Sequence, residues 1–167
     1  MPERFNPAEL ADTEAAFEGR LQPDALPRLR AATLTIEAPV TLQVAFYRDM
    51  GGHCVAEGRA ATTVSLTCQR CMEPVRLELD AAFRLGVVED DAAAAALPED
   101  LEPQVVGHHA LTPATLIEDE LLLALPVVAR HADPADCGSR ARHMSAGEAA
   151  QNERNNPFSV LKDLKSN

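Results

Sequence analysis

Residues 59–88 read RAATTVSLTCQRCMEPVRLELDAAFRLGVV, and two strand-like runs in this stretch flank a short central segment. The first run contains Thr62, Thr63, Val64 and Thr67, residue types that favour strands. In the second run, apolar residues alternate with polar ones from Val75 to Leu79, which is the period-two pattern of a strand with one buried face. The segment between the runs, CQRC at residues 68–71, is therefore predicted to form the turn of a β-hairpin.

More strand-like sequence surrounds this hairpin. The run VTLQVAFY at residues 40–47 places Val40, Leu42, Val44 and Phe46 on one face of a half-buried strand. Shorter strands are predicted at residues 33–36, 53–57, 59–67 and 104–106, with a break near Gly58. Short strands joined by short turns indicate an antiparallel sheet, and such a sheet could close into a barrel.

A helix is predicted to pack on this sheet. Thr112 followed by Pro113 is typical of a helix start, and Pro126 ends the same run, so the helix lies near residues 113–125. Its stripe is predicted to contain Leu116, Ile117, Glu120, Leu121, Leu123 and Ala124. The fold class is therefore predicted as α+β, with an antiparallel sheet of about five strands and one packed helix.

The two ends of the chain differ in character from its middle. Asn6 followed by Pro7 predicts an N-terminal helix that continues to about Phe17. We expect a core domain over residues 1–139, which includes a mobile, acidic, alanine-rich insert at 89–103. Residues 140–167 are predicted to be a polar linker followed by an amphipathic tail.

The tail, NPFSVLKDLKSN, combines a helix-start signal with an apolar face and basic residues. One interpretation is that the apolar face folds back onto the core. The other is that the segment becomes ordered on a partner's groove. The candidate partner-binding residues are Asn156, Pro157, Phe158, Leu161, Lys162, Leu164 and Lys165.

The charge of the chain restricts its partners. The net charge is −11, which argues against indiscriminate nucleic-acid binding, because that binding depends on clustered Lys and Arg. Between Arg84 and Arg130 there is no basic residue, whereas there are nine acidic ones. This run is either a solvated surface or a docking site for a basic partner such as a ribosomal protein. We expect no membrane span and no secretory signal, and hence a cytoplasmic protein.

The CQRC turn has three interpretations. A redox pair of the thioredoxin type precedes a helix, but Glu73-Pro74-Val75 indicates a strand. A zinc site is favoured by the hairpin context, and the loop after the main helix offers two further ligands. That site would consist of Cys68, Cys71, His131 and Cys137, with zinc as the cofactor. The third interpretation is that these residues only pack a loop onto the hairpin, and Cys54 is predicted to be a buried apolar residue.

Three motifs in this order carry a resemblance to a known family. CQRCMEPV after a β-run, EDELLLALPVVARH followed by a cysteine, and the terminal NPFSVLKDLK together resemble the large ribosomal RNA subunit accumulation protein family, the YceD family. The similarity spans roughly residues 30–167. It implies a non-catalytic role in the accumulation of large-subunit (23S) ribosomal RNA. The implied partner is a precursor of the large ribosomal subunit, and we expect contact through a basic ribosomal protein rather than naked RNA.

An enzyme is the alternative class. The chain lacks the Walker, dinucleotide-binding, nucleophile-elbow and HExxH motifs, and we expect no small-molecule substrate. A zinc hydrolase would require three protein ligands at Cys68, Cys71 and their neighbours, with water as the fourth. A thiol redox protein would use Cys68 and Cys71 themselves. A closed site with four protein ligands would exclude the hydrolase.

Overall fold

The computed structural model of the chain describes residues 3–107 and 111–138. Within these ranges the chain forms six strands and four α-helices. The strands are β1 Ala16–Leu21, β2 Thr35–Ile36, β3 Val40–Arg48, β4 Cys54–Thr67, β5 Pro74–Val88 and β6 Glu102–Val105. The α-helices are α1 Pro7–Asp12, α2 Pro27–Ala32, α3 Asp91–Ala94 and α4 Pro113–Leu123.

All six strands belong to one sheet, whose order is β1-β3-β4-β5-β6. The short β2 pairs with β4 beyond the end of β3, so β2 and β3 both lie along β4. Every pairing is antiparallel except that of β5 with β6, which is parallel. The α+β prediction is confirmed. The sheet is open in the part of the chain described here, and its closure into a barrel was therefore the wrong alternative.

The predicted alternation produces the core. Val40, Leu42, Val44 and Phe46 are all buried, as expected for one face of β3. The break predicted near Gly58 is absent, because β4 continues through it as a single strand of 14 residues. Gly58 is needed for another reason: a Cβ at this position would lie 2.1 Å from the Gln43 carbonyl oxygen on β3. The glycine thus permits a close approach of two strands rather than a turn.

Helix α4 confirms the predicted packed helix. Thr112 and Thr115 form a capping box, in which each side chain accepts a hydrogen bond from the other residue's N–H. Leu116, Ile117 and Leu121 are fully buried, as predicted. The predicted apolar stripe of α4 was wrong at its C-terminal end, because Leu123 is 71% exposed.

The N-terminal helix is shorter than predicted. Helix α1 ends at Asp12, and Ala16–Leu21 forms strand β1 instead of the last helical turns. Glu14 has a left-handed φ of 50°, which interrupts the helix. The ring of Phe17 packs against those of Phe5 and Phe46, at centroid distances of 5.5 and 6.4 Å. Packing of this aromatic side chain against the sheet therefore outweighs the local helix signal.

The acidic insert contains regular structure. Residues 89–103 include α3 and the first residues of β6. Leu101 is buried, and the side chain of Leu97 lies beside Gly86 of β5. These contacts attach the segment to β5. The mobility of the insert remains a prediction.

Contacts divide the chain into two compact units, Met1–Arg130 and His131–Asn167. The first unit contains all the strands and α-helices named above. In the second unit, residues 131–138 are described, and they include a 3-10 turn at Pro134–Cys137. The predicted tail and its candidate partner-binding residues lie outside the described residues. No helix of the described ranges is long and apolar enough to cross a membrane.

Candidate metal centre

The CQRC segment forms the turn between β4 and β5. The N–H of Cys68 donates to the carbonyl of Glu73 at 2.9 Å, and the N–H of Met72 donates to the carbonyl of Cys68 at 2.8 Å. Met72 adopts a left-handed φ of 64°, which reverses the chain directly after Cys71. Cys68 and Cys71 are both buried. The turn therefore presents two thiols from one side of a fixed backbone.

A further hydrogen bond ties this turn to the chain that follows α4. The N–H of Gln69 donates to the carbonyl of Ala129 at 2.8 Å. Gln69 lies between the two cysteines in sequence, so the bond fixes the backbone at the middle of the motif. The conformation of the turn thus depends on tertiary contacts as well as on its own sequence.

His131 and Cys137 form the second pair of donors. The Nδ1 atom of His131 lies 3.5 Å from the Sγ atom of Cys137. Cys137 is buried at the end of the 3-10 turn, and the Asp133 side chain accepts a hydrogen bond from the N–H of Ala135 at the start of this turn. The cap places the cysteine by fixing the start of the turn. The two residues lie in one loop after α4, which is the feature on which the sequence prediction rested.

The structure brings all four predicted ligands together. The ligand atoms of Cys68, Cys71, His131 and Cys137 all lie within 4.8 Å of one another. In a tetrahedral zinc site with bonds of about 2.3 Å to sulfur and about 2.0 Å to nitrogen, neighbouring ligand atoms are roughly 3.5–3.8 Å apart. The distance from His131 to Cys137 falls in this range, and three thiols with one imidazole suit zinc chemically. The Cys₃His group could therefore hold a metal ion.

The surroundings of the turn do not fit the redox alternative. Thioredoxin-type pairs lie at a helix N-terminus, where the helix dipole lowers the pKa of the thiol. Here the residues after Cys71 lead into β5, which begins at Pro74. The helix that this chemistry requires is therefore replaced by a strand.

Cys54 does not belong to the cluster. It is the first residue of β4, is only half-buried, and its thiol donates to the carbonyl of Pro7 at 3.3 Å. Burial raises the pKa of the Cys54 thiol, with the opposing effect of Arg48 smaller than that of burial. A neutral thiol in this position acts as a small packed residue, although it is less buried than the sequence suggested.

The acidic run has a structure that the sequence did not reveal. Four of its nine acids satisfy groups of the protein itself. Asp90 caps α3, Asp100 pairs with Arg84, and Asp119 pairs with Arg28. The fourth is Glu118, which is buried and accepts hydrogen bonds from two N–H groups of α2. The other five are Glu89, Asp91, Glu99, Glu102 and Glu120.

Three acidic side chains come together at one place on this surface. The pKa of Glu120 is raised by partial burial and, to a smaller extent, by the negative charges of Glu102 and Asp119. Glu102 begins β6, whereas the other two lie on α4. The fold thus concentrates charges that are almost twenty residues apart in the sequence. We call Glu102, Asp119 and Glu120 the acidic patch.

Comparison with known proteins places these features in a family. The family model described as "Large ribosomal RNA subunit accumulation protein YceD" matches residues 56–165. A protein of Haemophilus influenzae that bears this name is 29% identical over 168 aligned positions, which cover 99% of this chain and 96% of the relative. No solved structure matches the chain. The chain belongs to the YceD family of large ribosomal RNA subunit accumulation proteins.

Proposed function

We propose that this protein is a non-catalytic accessory factor in ribosome biogenesis that supports accumulation and processing of large-subunit ribosomal RNA in the cytoplasm. The observation that carries the proposal is the family match across residues 56–165, which includes the CQRC turn and the loop with Cys137. The Haemophilus influenzae relative aligns over 99% of this chain and 96% of its own length, so the similarity is not limited to the candidate metal centre. A zinc hydrolase is less favoured, because a fourth protein ligand would occupy the position of its water.

The role can be tested in cells whose own copy of the gene has been deleted. We expect these cells to accumulate less mature large-subunit RNA relative to small-subunit RNA, and expression of the protein to restore the ratio. The measurement is quantitative RNA analysis together with ribosome profiles on sucrose gradients. An unchanged ratio in the deleted cells would contradict the proposed role.

We further propose that zinc is bound by the Cys₃His group as a structural ion. Three thiolates and one imidazole would close the coordination sphere, so the metal would hold the β4–β5 turn and the 131–137 loop in place. The compactness of the donor set supports this assignment. Zinc would then contribute to stability rather than to chemistry.

The acidic patch is the surface that we propose for a basic partner. The pKa of Glu120 is raised mainly by partial burial and to a smaller extent by the charges of Glu102 and Asp119, and an incoming Lys or Arg would favour its charged form. The same field repels the phosphates of naked RNA. A basic protein of the large subunit is therefore the expected partner.

Removing charge from this patch should weaken binding to large-subunit proteins. We expect the double variant Glu102→Gln/Glu120→Gln to bind them roughly tenfold more weakly at low salt, with the difference shrinking as salt rises. The matched control is Glu14→Gln/Glu78→Gln, which removes two exposed charges elsewhere. Pull-down of total large-subunit proteins, with protein-free large-subunit RNA in parallel, measures both. Equal loss in the two variants, or tight binding to the bare RNA, would contradict the proposal.

The tail is proposed as a second partner-binding segment. Its candidate residues are Asn156, Pro157, Phe158, Leu161, Lys162, Leu164 and Lys165. The basis is the pattern of the sequence, in which an apolar face lies beside two lysines. The same pull-down with a chain that ends at Arg154 tests it, because loss of binding without a change in melting temperature separates docking from folding.

A further inference from the structure

Strand β1 is at one end of the sheet, and its outer side is not paired with any strand of the described residues. Exposed sheet edges are usually protected, for example by proline. The opposite edge follows this rule, because β6 contains Pro103. Strand β1, with the sequence AFEGRL, has no proline and carries one charge of each sign. Its edge is therefore able to accept another strand.

The hydrogen-bond pattern fixes which groups point outward. The N–H of Phe46 donates to the carbonyl of Ala15 at 2.8 Å, and the register of β1 with β3 is regular. In an antiparallel ladder the bonded residues alternate, so Phe17, Gly19 and Leu21 bond to β3. The N–H and carbonyl groups of Ala16, Glu18 and Arg20 consequently point to the open side.

These outward groups restrict how a second copy of β1 could pair. Two antiparallel copies must place outward-pointing residues opposite each other, so Glu18 can face only Ala16, Glu18 or Arg20 of the other strand. Pairing Glu18 with Glu18 would oppose like charges. Pairing Glu18 with Arg20 places the two-fold axis at Gly19 and forms the same attractive pair twice.

The other face of β1 favours the same register. The rings of Phe17 and Phe5 stack, so the odd-numbered residues point to the core side, whereas Glu18 and Arg20 are exposed. With the axis at Gly19, the half-buried Phe17 of one protomer lies opposite Leu21 of its partner. The exposed face thus gains two pairs of opposite charge, and on the core side Phe17 gains an apolar neighbour in the buried Leu21. No other antiparallel register that pairs the outward-pointing residues places opposite charges on one face and Phe17 opposite Leu21 on the other.

We propose that the β1 edge is a self-association surface, at which a second copy of this chain adds its own β1 antiparallel with Glu18 opposite Arg20. Six residues from each protomer form a small interface, so the dimer is weak and depends on protein concentration. The two protomers then share one continuous sheet through the edge. This inference does not depend on the role in ribosome biogenesis.

Charge reversal tests this register directly. We expect Glu18→Arg and Arg20→Glu, each alone, to weaken dimerisation at least about tenfold, because each converts two attractive pairs into two repulsive ones. Mixing the two single variants should restore association, since the heterodimer contains only opposite pairs. The double variant Glu18→Arg/Arg20→Glu should also dimerise. Sedimentation equilibrium over a concentration series measures all four samples.

The control is Glu78→Arg, which makes the same charge change at an exposed position of β5 and should dimerise like the wild type. Unchanged circular dichroism and melting temperature would establish that the variants remain folded. A wild-type protein that stays monomeric at every concentration would overturn the proposal, and would mean that another segment or protein covers the edge. A dimer that tolerates both single reversals, or fails to recover on mixing, would overturn it as well.

Discussion

Replacing Cys71 with serine is expected to abolish zinc binding and to lower the melting temperature by about 10 °C. The variant removes one thiolate of the Cys₃His group, whose ligand atoms lie within 4.8 Å of one another. If free zinc exceeds its dissociation constant about 1,000-fold, the metal adds about 4 kcal/mol to the free energy of unfolding. For a chain of this size the melting temperature changes by roughly 2–4 °C per kcal/mol, so a loss of about 4 kcal/mol lowers it by about 10 °C.

Cys54→Ser is the matched control for this variant. Cys54 lies outside the cluster and donates to a backbone carbonyl, a bond that a serine hydroxyl can also make. We expect it to keep one equivalent of zinc per chain, as measured by elemental analysis of protein purified without chelator. The zinc proposal would be refuted if the wild-type protein contained no metal and if Cys71→Ser and Cys54→Ser melted at the same temperature. The cluster would then serve only to pack the loop.

The main strands of the sheet were predictable from the sequence because the alternation of β3 and β5 is local. Each strand carries its own period-two pattern, and the register that buries one face follows from it. The exceptions are Gly58 and β1. Gly58 resembles a break in the sequence, but its role is set by the Gln43 carbonyl on a neighbouring strand. Strand β1 follows a helix-start signal and is stabilised by the distant β3.

The composition of the candidate metal centre was predictable from the sequence, whereas its geometry was not. The cysteine spacing in CQRC identifies two donors, and the hairpin context limits what they can do. His131 and Cys137 lie about sixty residues further along the chain, and only the fold determines whether that gap closes. The acidic patch has the same limitation: the sequence shows a run of acids but gives no indication that Glu102 lies near Glu120.

Glu118 illustrates how one member of that run was misassigned as surface charge. Its carboxylate is buried and accepts hydrogen bonds from the N–H of Arg28 at 2.7 Å and from the N–H of Leu29 at 3.2 Å. Both N–H groups belong to the first turn of α2, where no residue of α2 itself can accept them. The side chain of the N-cap residue, Leu26, has no acceptor atom that could replace the carboxylate. Glu118 thus joins α4 to α2 across about ninety residues of sequence.

We therefore expect Glu118→Ala to destabilise the protein by about 3 kcal/mol, because it leaves two N–H groups unsatisfied in a buried place. Glu118→Gln retains an acceptor oxygen and should cost only about 1 kcal/mol, whereas Asp119→Ala removes an exposed ion pair and should cost at most about 0.5 kcal/mol. Urea unfolding of the three variants measures the order. If Glu118→Ala proved no more destabilising than Asp119→Ala, water would have to replace the carboxylate as the hydrogen-bond acceptor without a loss of stability. The acidic run would then be a solvated surface along its whole length.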